Sequence, residues 1–334
     1  MDPRHDGNRR AHATKGRPVK IAVTGAAGFI GSHLVAELLA RDHTVTACDV
    51  FDPFYSRAAK ERNLSGVRDH PRFTFFESDI RDAEAVAALV RDCECCIHLA
   101  AKAGVRPSFS APGEYADVNV VGTARLLEAA ASEGVAKLVF ASSSSVYGEG
   151  APVPFREAAE LGIPLSPYAS TKVAGENLIR NFAQSFETTV VLRLFTVYGP
   201  RQRPDLAIHK FARIITEDEE IPVFGDTGSA RDYTYVDDIV EGICRSLDWS
   251  EDFSIFNLGA GNPVTLDGMI EALERSLGRT ARRRSLPPQR GDMQSTWADI
   301  GKARSALGYQ PVTSFQDGID RFCEWFRAEH GRGA

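Results

Sequence analysis

Residues 19–34, VKIAVTGAAGFIGSHL, set a short apolar run against three glycines at three-residue intervals, Gly25, Gly28 and Gly31. An amphipathic stretch follows, from about Phe29 to Arg41. A strand that turns through glycine into a helix within so few residues limits the fold sharply. Gly25 permits the tight turn, Gly28 lets a pyrophosphate approach the backbone, and Gly31 allows close helix–strand packing. Phe29 and Ile30 open the helix, whose N-terminal N–H groups face the negative charge.

The same rhythm continues along the chain. HTVTACD, FTFFESD, CCIHLA, KLVFAS and TTVVLRLF read as strands. Between them lie AEAVAALVRD and long helical runs at about 113–133 and 166–186. Strands alternating with helices predict an α/β protein, a Rossmann-type doubly wound parallel sheet with helices on both faces. After Phe195 the pattern changes. VYGPRQRPD reads as a polar loop, IPVFG as a short strand, and YTYVDDIVEGICRSL as a helix entered through Asp-rich capping. FSIFNLG is placed to return to the main sheet, and EDEE (217–220) reads as a solvated helix end. From Thr265 on, helical segments separated by RSLPPQRGD predict a smaller lobe. The expected division is a disordered tail at 1–18, a dinucleotide-binding domain at 19–195 plus 233–258, and a smaller α/β lobe at 196–232 plus 259–330.

With 334 residues, 43% of them hydrophobic, the chain has ample material for a large core. Its net charge of −6 gives no reason to expect a nucleic acid partner. No apolar run approaches the roughly 18 residues that suggest a membrane span. The opening, Met1 to Arg17, is polar and Arg-rich, unlike a secretory signal. Three of the six cysteines cluster in CECC (Cys93, Cys95, Cys96), which runs directly into apolar IHLAA. No second ligand cluster with zinc spacing accompanies them, so buried reduced thiols, no metal site and a cytoplasmic location are expected.

Asp49 closes the second strand, eighteen residues after Gly31. A carboxylate there accepts the ribose hydroxyls of NAD and repels the additional phosphate of NADP, so NAD is the expected cofactor. Asp79 and Ile80, in SDI after the third strand, are placed to meet the adenine, although Asp79 equally suits a helix cap. In YASTK, Tyr168 and Lys172 stand four residues apart and therefore on one helix face. A free tyrosine titrates near pH ~10, and a neighbouring ammonium and the positive nicotinamide both favour the phenolate needed for base catalysis. Upstream, VFASSSSVYG sets four serines at the end of an apolar strand, where open α/β sheets bind ligands.

Taken together, TGAAGFIGSHL, HLAA, SSSSVYG, SPYASTK, FTVYGP, RDYTYVDD and RGD…WAD resemble the extended short-chain dehydrogenase/reductases of the nucleotide-sugar epimerase/dehydratase group, over about Val19 to Arg327. The resemblance implies that Leu99, Ala100 and Ala101 of HLAA border the cofactor. It also implies that Ser143, four residues before the tyrosine of VYG, works with Tyr168 and Lys172, and that Ser144 and Ser145 face the sugar. Relatives that eliminate water or decarboxylate carry a carboxyl just after the catalytic Ser/Thr. Only hydroxyls follow here, which favours 4-epimerisation through a 4-keto intermediate.

By the same resemblance Arg231 grips a UDP diphosphate, Asp292 binds the uridine ribose, and Val223 in PVFG lines the uracil. Thr196 replaces the asparagine of FNP in UDP-glucose epimerases, and FTVYGPRQRPD with AGVRPS is similar to bacterial UDP-glucuronate 4-epimerases. Thr196 and Arg203, with Ser144 and Ser145, are the expected carboxylate pocket, and Arg106 is a further candidate. Lys102 departs from the uncharged residue expected at its position, and Thr296 leaves room for an N-acetylated sugar. The resemblance further implies a homodimer through the helices at 113–133 and 166–186. Two alternatives stay open: a UDP-glucose or UDP-N-acetylglucosamine 4-epimerase, and a non-catalytic NAD-sensing protein on the same fold.

Overall fold

Seven strands rich in β-branched and aromatic residues line up in parallel, and their central members are buried on both faces. The computed structural model describes residues 17–225, 227–287 and 295–330. In chain order the first strands and helices are β1 (Lys20–Thr24), α1 (Phe29–Ala40), β2 (Thr44–Asp49), α2 (Arg57–Ser65), β3 (Phe73–Glu77), α3 (Ala83–Val90) and β4 (Cys95–His98). Short helices α4 (Val105–Ser108) and α5 (Pro112–Ala116) precede α6 (Thr123–Ser132), β5 (Lys137–Ser143), α7 (Pro167–Phe182) and β6 (Thr188–Leu194). The rest is β7 (Thr196–Tyr198), α8 (Ala207–Thr216), β8 (Glu220–Phe224), β9 (Ala230–Arg231), β10 (Tyr233–Tyr235), α9 (Val236–Ser246), β11 (Phe253–Leu258), β12 (Val264–Thr265), α10 (Leu266–Leu277), β13 (Arg282–Leu286), α11 (Gly301–Leu307) and α12 (Phe315–His330).

The sheet order is β11-β6-β5-β4-β1-β2-β3. From β1 the chain moves outward through β2 and β3, then returns to β4 on the other side of β1. That reversal opens a crevice beyond the carboxyl ends of β1 and β4, where open α/β sheets take their ligands. Leu34 and Leu38 of α1 and Ile239 and Ile243 of α9 share one core, while Leu89 of α3, Leu126 of α6 and Ile179 of α7 belong to the other. The smaller C-terminal elements extend the first core through Phe211, Met269, Ile270, Ile319 and Phe322.

Several local expectations change. Thr196–Tyr198 is a strand, parallel to β10, where the Tyr198 ring packs against Tyr233 and Phe315. Arg284–Leu286, expected as loop, belongs to β13 and pairs in parallel with β8. The run at 113–133 is broken by a π turn at Asp117–Gly122. Asp237 and Asp238 do not cap α9, whose N-cap is Tyr235. Instead the Asp238 carboxylate accepts from the N–H groups of Val312 (3.0 Å) and Thr313 (3.2 Å) and ties α9 to the C-terminal segment. Asp79 is not a cap either: α3 is capped by Asp82, which accepts from Glu84 and Ala85 N–H. All six cysteines are buried and unbridged. Residues 1–16 of the expected 1–18 tail and Asp292 lie outside the described residues.

Candidate active site

The turn after β1 is held from below. Gly25 N–H (2.8 Å) and Ala26 N–H (3.1 Å) both donate to the Cys48 carbonyl at the end of β2. Gly25 has φ +74°, and a Cβ on Gly31 would lie 2.1 Å from the Gly25 carbonyl oxygen. Side chains are excluded here by backbone packing, which leaves a bare cradle at the start of α1. Beneath it a buried chain fixes the next strand end. Thr123 Oγ1 donates to Asn119 O (2.7 Å), so it accepts from His98 Nε2 (3.0 Å). His98 Nδ1 then accepts from Thr24 Oγ1 (2.7 Å), which in turn accepts from Ala100 N–H (3.1 Å). His98 is a neutral spacer, and burial pushes its pKa down to about 3.

A cavity of about 710 Å³ spreads from this cradle across the sheet end. Gly25, Gly28, Phe29, Ile30, Gly31, Asp49, Asp79, Ile80, Leu99, Ala100 and Ala101 all line it. Asp49 accepts from Ala27 N–H (3.1 Å) on one oxygen and Phe51 N–H (2.8 Å) on the other, which presets the carboxylate. Burial raises its pKa, and the Lys60 ammonium 3.8 Å away lowers it. Asp79 is gripped by Arg81 at 2.6 Å, which holds its carboxyl below the usual range.

Ser143, Tyr168 and Lys172 come together on the same cavity. Ser166 caps α7 by accepting from Ala169 N–H at 3.1 Å, and Pro167 occupies its first turn, so the Tyr168 position is set at once. Ser145 donates to Ser143 Oγ from both its N–H (3.2 Å) and its hydroxyl (3.0 Å). The one hydrogen of Ser143 is therefore left for Tyr168, with which it is hydrogen bonded. Burial pushes the Tyr168 phenol up, and the Ser143 hydrogen bond and the Arg203 charge lower it. Lys172 Nζ donates to the Ala141 carbonyl at 2.8 Å, and burial pushes it down to about 8 against the raising pull of Glu176.

Glu176 lies one helical turn beyond Lys172 and on the same face, in four-residue steps from Tyr168. It accepts from Ser142 Oγ (2.5 Å) and, through both oxygens, from Arg193 of β6 (2.9 and 2.8 Å). The spacing of Glu176 was visible in the sequence, but its partner across the sheet was not.

The sugar side is less regular. Ser144, Ser145, Thr196, Arg203, Arg231 and Thr296 line the cavity. Arg203 is engaged by Asp205 through Nε (2.9 Å) and Nη2 (2.8 Å), and its guanidinium stands 5.5 Å from the Phe54 ring. Val223 does not line the cavity: on β8 its side chain turns into the lobe's core and is 3% exposed. Arg106 does not line it either, and stands over the Phe224 ring at 5.5 Å on the outside of α4. Lys102 faces the cavity but is ion-paired with Asp52 at 3.2 Å and with Glu114, so its charge is met by the protein. Tyr55 and Lys60 also line the cavity, and the sequence carried no signal for either beyond their nearness to Asp49.

A Ser–Tyr–Lys set beside a glycine-turn crevice defines the class: extended short-chain dehydrogenase/reductases built to oxidise and reduce a hydroxyl. Within it the chain belongs to the NAD dependent epimerase/dehydratase family, whose model matches residues 21–259. It is 40% identical over 307 residues to a UDP-glucuronate 4-epimerase of Thermodesulfobacterium geofontis, covering 91% of this chain and 94% of that one. Among solved structures it matches the UDP-glucuronic acid 4-epimerase of Bacillus cereus in complex with UDP-glucuronic acid and NAD, with TM-score 0.88 and 36% identity over 93% of this chain and 100% of that one. It also matches a UDP-glucose 4-epimerase of Thermotoga maritima with UDP-glucose, with TM-score 0.85 and 32% identity over 93% and 99%.

Proposed function

We propose that this protein is an NAD-dependent UDP-sugar 4-epimerase that converts UDP-glucuronate to UDP-galacturonate through a 4-keto intermediate. The observation that carries this is the hydroxyl cluster at the end of β5, with Ser143 hydrogen bonded to Tyr168, no carboxyl following it, and Arg203 lining the same cavity. The UDP-glucuronate 4-epimerase activity of the Thermodesulfobacterium relative and the UDP-glucuronic acid bound in the Bacillus structure support the same substrate.

The chain's own residues fit the cofactor. The glycine turn at the start of α1, packed so closely that its own backbone excludes a Cβ at Gly31, suits a diphosphate, and the preset Asp49 carboxylate suits unphosphorylated ribose hydroxyls. Ile80 and Asp79 border the adenine end, Leu99, Ala100 and Ala101 the middle, and Lys172 with Tyr168 the nicotinamide end. When bound, NAD supplies the acceptor for the C4 hydride and its return. Tyr168 takes the proton of the 4-hydroxyl and later gives it back. When the sugar binds, Ser143 turns its one hydrogen from Tyr168 to the same oxygen, and Ser145 keeps Ser143 oriented. Lys172 stays an ammonium against its burial because Glu176 lies one turn away.

Arg203, Thr196, Ser144 and Ser145 receive the sugar carboxylate, and Arg231 the diphosphate. A 4-keto uronate loses carbon dioxide when its carboxylate bond aligns with the carbonyl π system. Several fixed donors hold the group out of that alignment, and a neighbouring carboxyl would repel it. The division into 19–195 plus 233–258 and 196–232 plus 259–330, a homodimer through α5, α6 and α7, and a cytoplasmic setting that keeps the buried thiols reduced complete this proposal.

A second reading, a UDP-glucose or UDP-N-acetylglucosamine 4-epimerase, has one observation behind it. Asp205 already occupies two of the Arg203 donors, and Thr296 leaves the wall short. The intact Ser–Tyr–Lys set speaks against a non-catalytic sensor. Chromatography and mass analysis of the products from each UDP-sugar test the choice. UDP-galacturonate as the main product is expected, and a wild-type preference for UDP-glucose would promote the second reading.

A further inference from the structure

Among the described residues, four buried side-chain polar atoms lack a hydrogen-bond partner: Tyr55 Oη, Arg72 Nε, Thr189 Oγ1 and Trp249 Nε1. Of these only Tyr55 lines the cavity. A buried hydroxyl without a partner leaves its desolvation cost uncompensated, so one kept at a ligand cavity needs a reason.

The loop that carries Tyr55 is pinned on both sides. Asp52 pairs with Lys102 at 3.2 Å, and the Phe54 ring lies 5.5 Å from the Arg203 guanidinium. Lys60 Nζ stands 4.8 Å over the Tyr55 ring. A cation on the ring face draws electron density from the phenol and strengthens its O–H as a donor. Burial raises the phenol's pKa, as does the nearby Asp49 charge, so the proton stays on. The hydroxyl is thus a fixed, protonated donor, sensing Asp49 of the cofactor end and Arg203 of the sugar end.

We infer that Tyr55 is a ligand-binding residue whose hydroxyl donates to an anionic oxygen of the bound ligands, where the cofactor and sugar ends of the cavity meet. The source of that oxygen is the cofactor diphosphate or the sugar carboxylate, the UDP diphosphate being left to Arg231. The inference rests on the proposed function for its second source only.

The test is Tyr55→Phe, which removes one oxygen and keeps the ring. Because the hydroxyl has no protein partner, the melting temperature of the cofactor-free variant should equal or exceed that of the parent. A clear fall would show an internal structural role and overturn the proposal. NAD binding to cofactor-free protein, measured by calorimetry, should weaken about tenfold if the diphosphate is the acceptor, the scale of a lost hydrogen bond to a charged group. If NAD binding is unchanged, the KM for UDP-glucuronate should rise about tenfold while that for UDP-glucose holds, which places the bond on the carboxylate. Adenosine serves as the probe without phosphate: an equal loss of its binding would move the contact to the ribose and overturn the assignment. Unchanged NAD affinity with KM values unchanged, or raised equally on both sugars, overturns it as well. The NAD measurement needs no sugar, so it stands even if the parent protein turns out to prefer UDP-glucose.

Discussion

The two ends of the cavity are built differently. At the cofactor end the work falls to backbone: a turn held by the Cys48 carbonyl, the helix start it exposes, and an Asp49 carboxylate oriented by two N–H groups. Every residue assigned there from the sequence lines the cavity. At the sugar end the work falls to side chains on loops and short strands, and the assigned residues scatter. Arg203 and Arg231 reach the cavity, while Val223 turns into the core and Arg106 stands outside. Contacts local in sequence follow from spacing, whereas contacts carried by long side chains follow from which neighbour claims them first.

Tyr168, where the two ends meet, should show the largest effect. Tyr168→Phe removes the ionisable hydroxyl, and turnover should fall at least about a hundredfold with NAD still bound. Single-turnover kinetics with a measurement of retained NAD check this, and near-normal turnover would break the assignment.

A smaller effect separates true from apparent sugar-side residues. Arg203→Ala should weaken UDP-glucuronate about tenfold more than UDP-glucose, the scale of a lost charged hydrogen bond, and allow some leakage to a decarboxylated pentose product. Arg106→Ala should leave both KM values within about twofold, as surface substitutions away from a site usually do. Equal losses on the two sugars from Arg203→Ala would reject the carboxylate pocket.

The smallest effect probes the cofactor end through pH. Burial pushes His98 down to about 3 and His33 down to about 4, both from an ordinary value of 6.5. Below pH 6.5 the unfolded chain binds protons that the folded chain refuses, so stability is full above that value and falls as pH drops toward 4. Each histidine should contribute a slope of about 1.4 kcal/mol per pH unit. Urea midpoints between pH 7 and pH 5 measure it, and His98→Asn should remove the share of the slope that His98 contributes. An unchanged slope in that variant would show that His98 is not the neutral spacer under Ala100.

Lys172 and Glu176 show how far spacing reaches. Their four-residue steps from Tyr168 put all three on one face of α7, a consequence of helical geometry alone. That Lys172 would turn to the Ala141 carbonyl and Glu176 to Arg193 depends on β5 and β6 lying beneath the helix. In the same way, Asp237 and Asp238 looked like caps because acidic residues favour helix starts. The N–H groups of Val312 and Thr313, more than seventy residues away, claimed Asp238 instead.

By itself the sequence determined the parallel sheet, the glycine turn, the place of Asp49 at the end of its strand and the shared face of Tyr168 and Lys172, because each follows from periodicity or spacing, whereas Ser143 came from the family resemblance. Only the tertiary structure decided that Asp205 occupies Arg203, that Asp52 and Glu114 neutralise Lys102, and that the Tyr55 hydroxyl is left without a partner. Those outcomes depend on which charged and polar groups meet when distant loops pack, and the pairing energies that settle them exist only once the chain has folded.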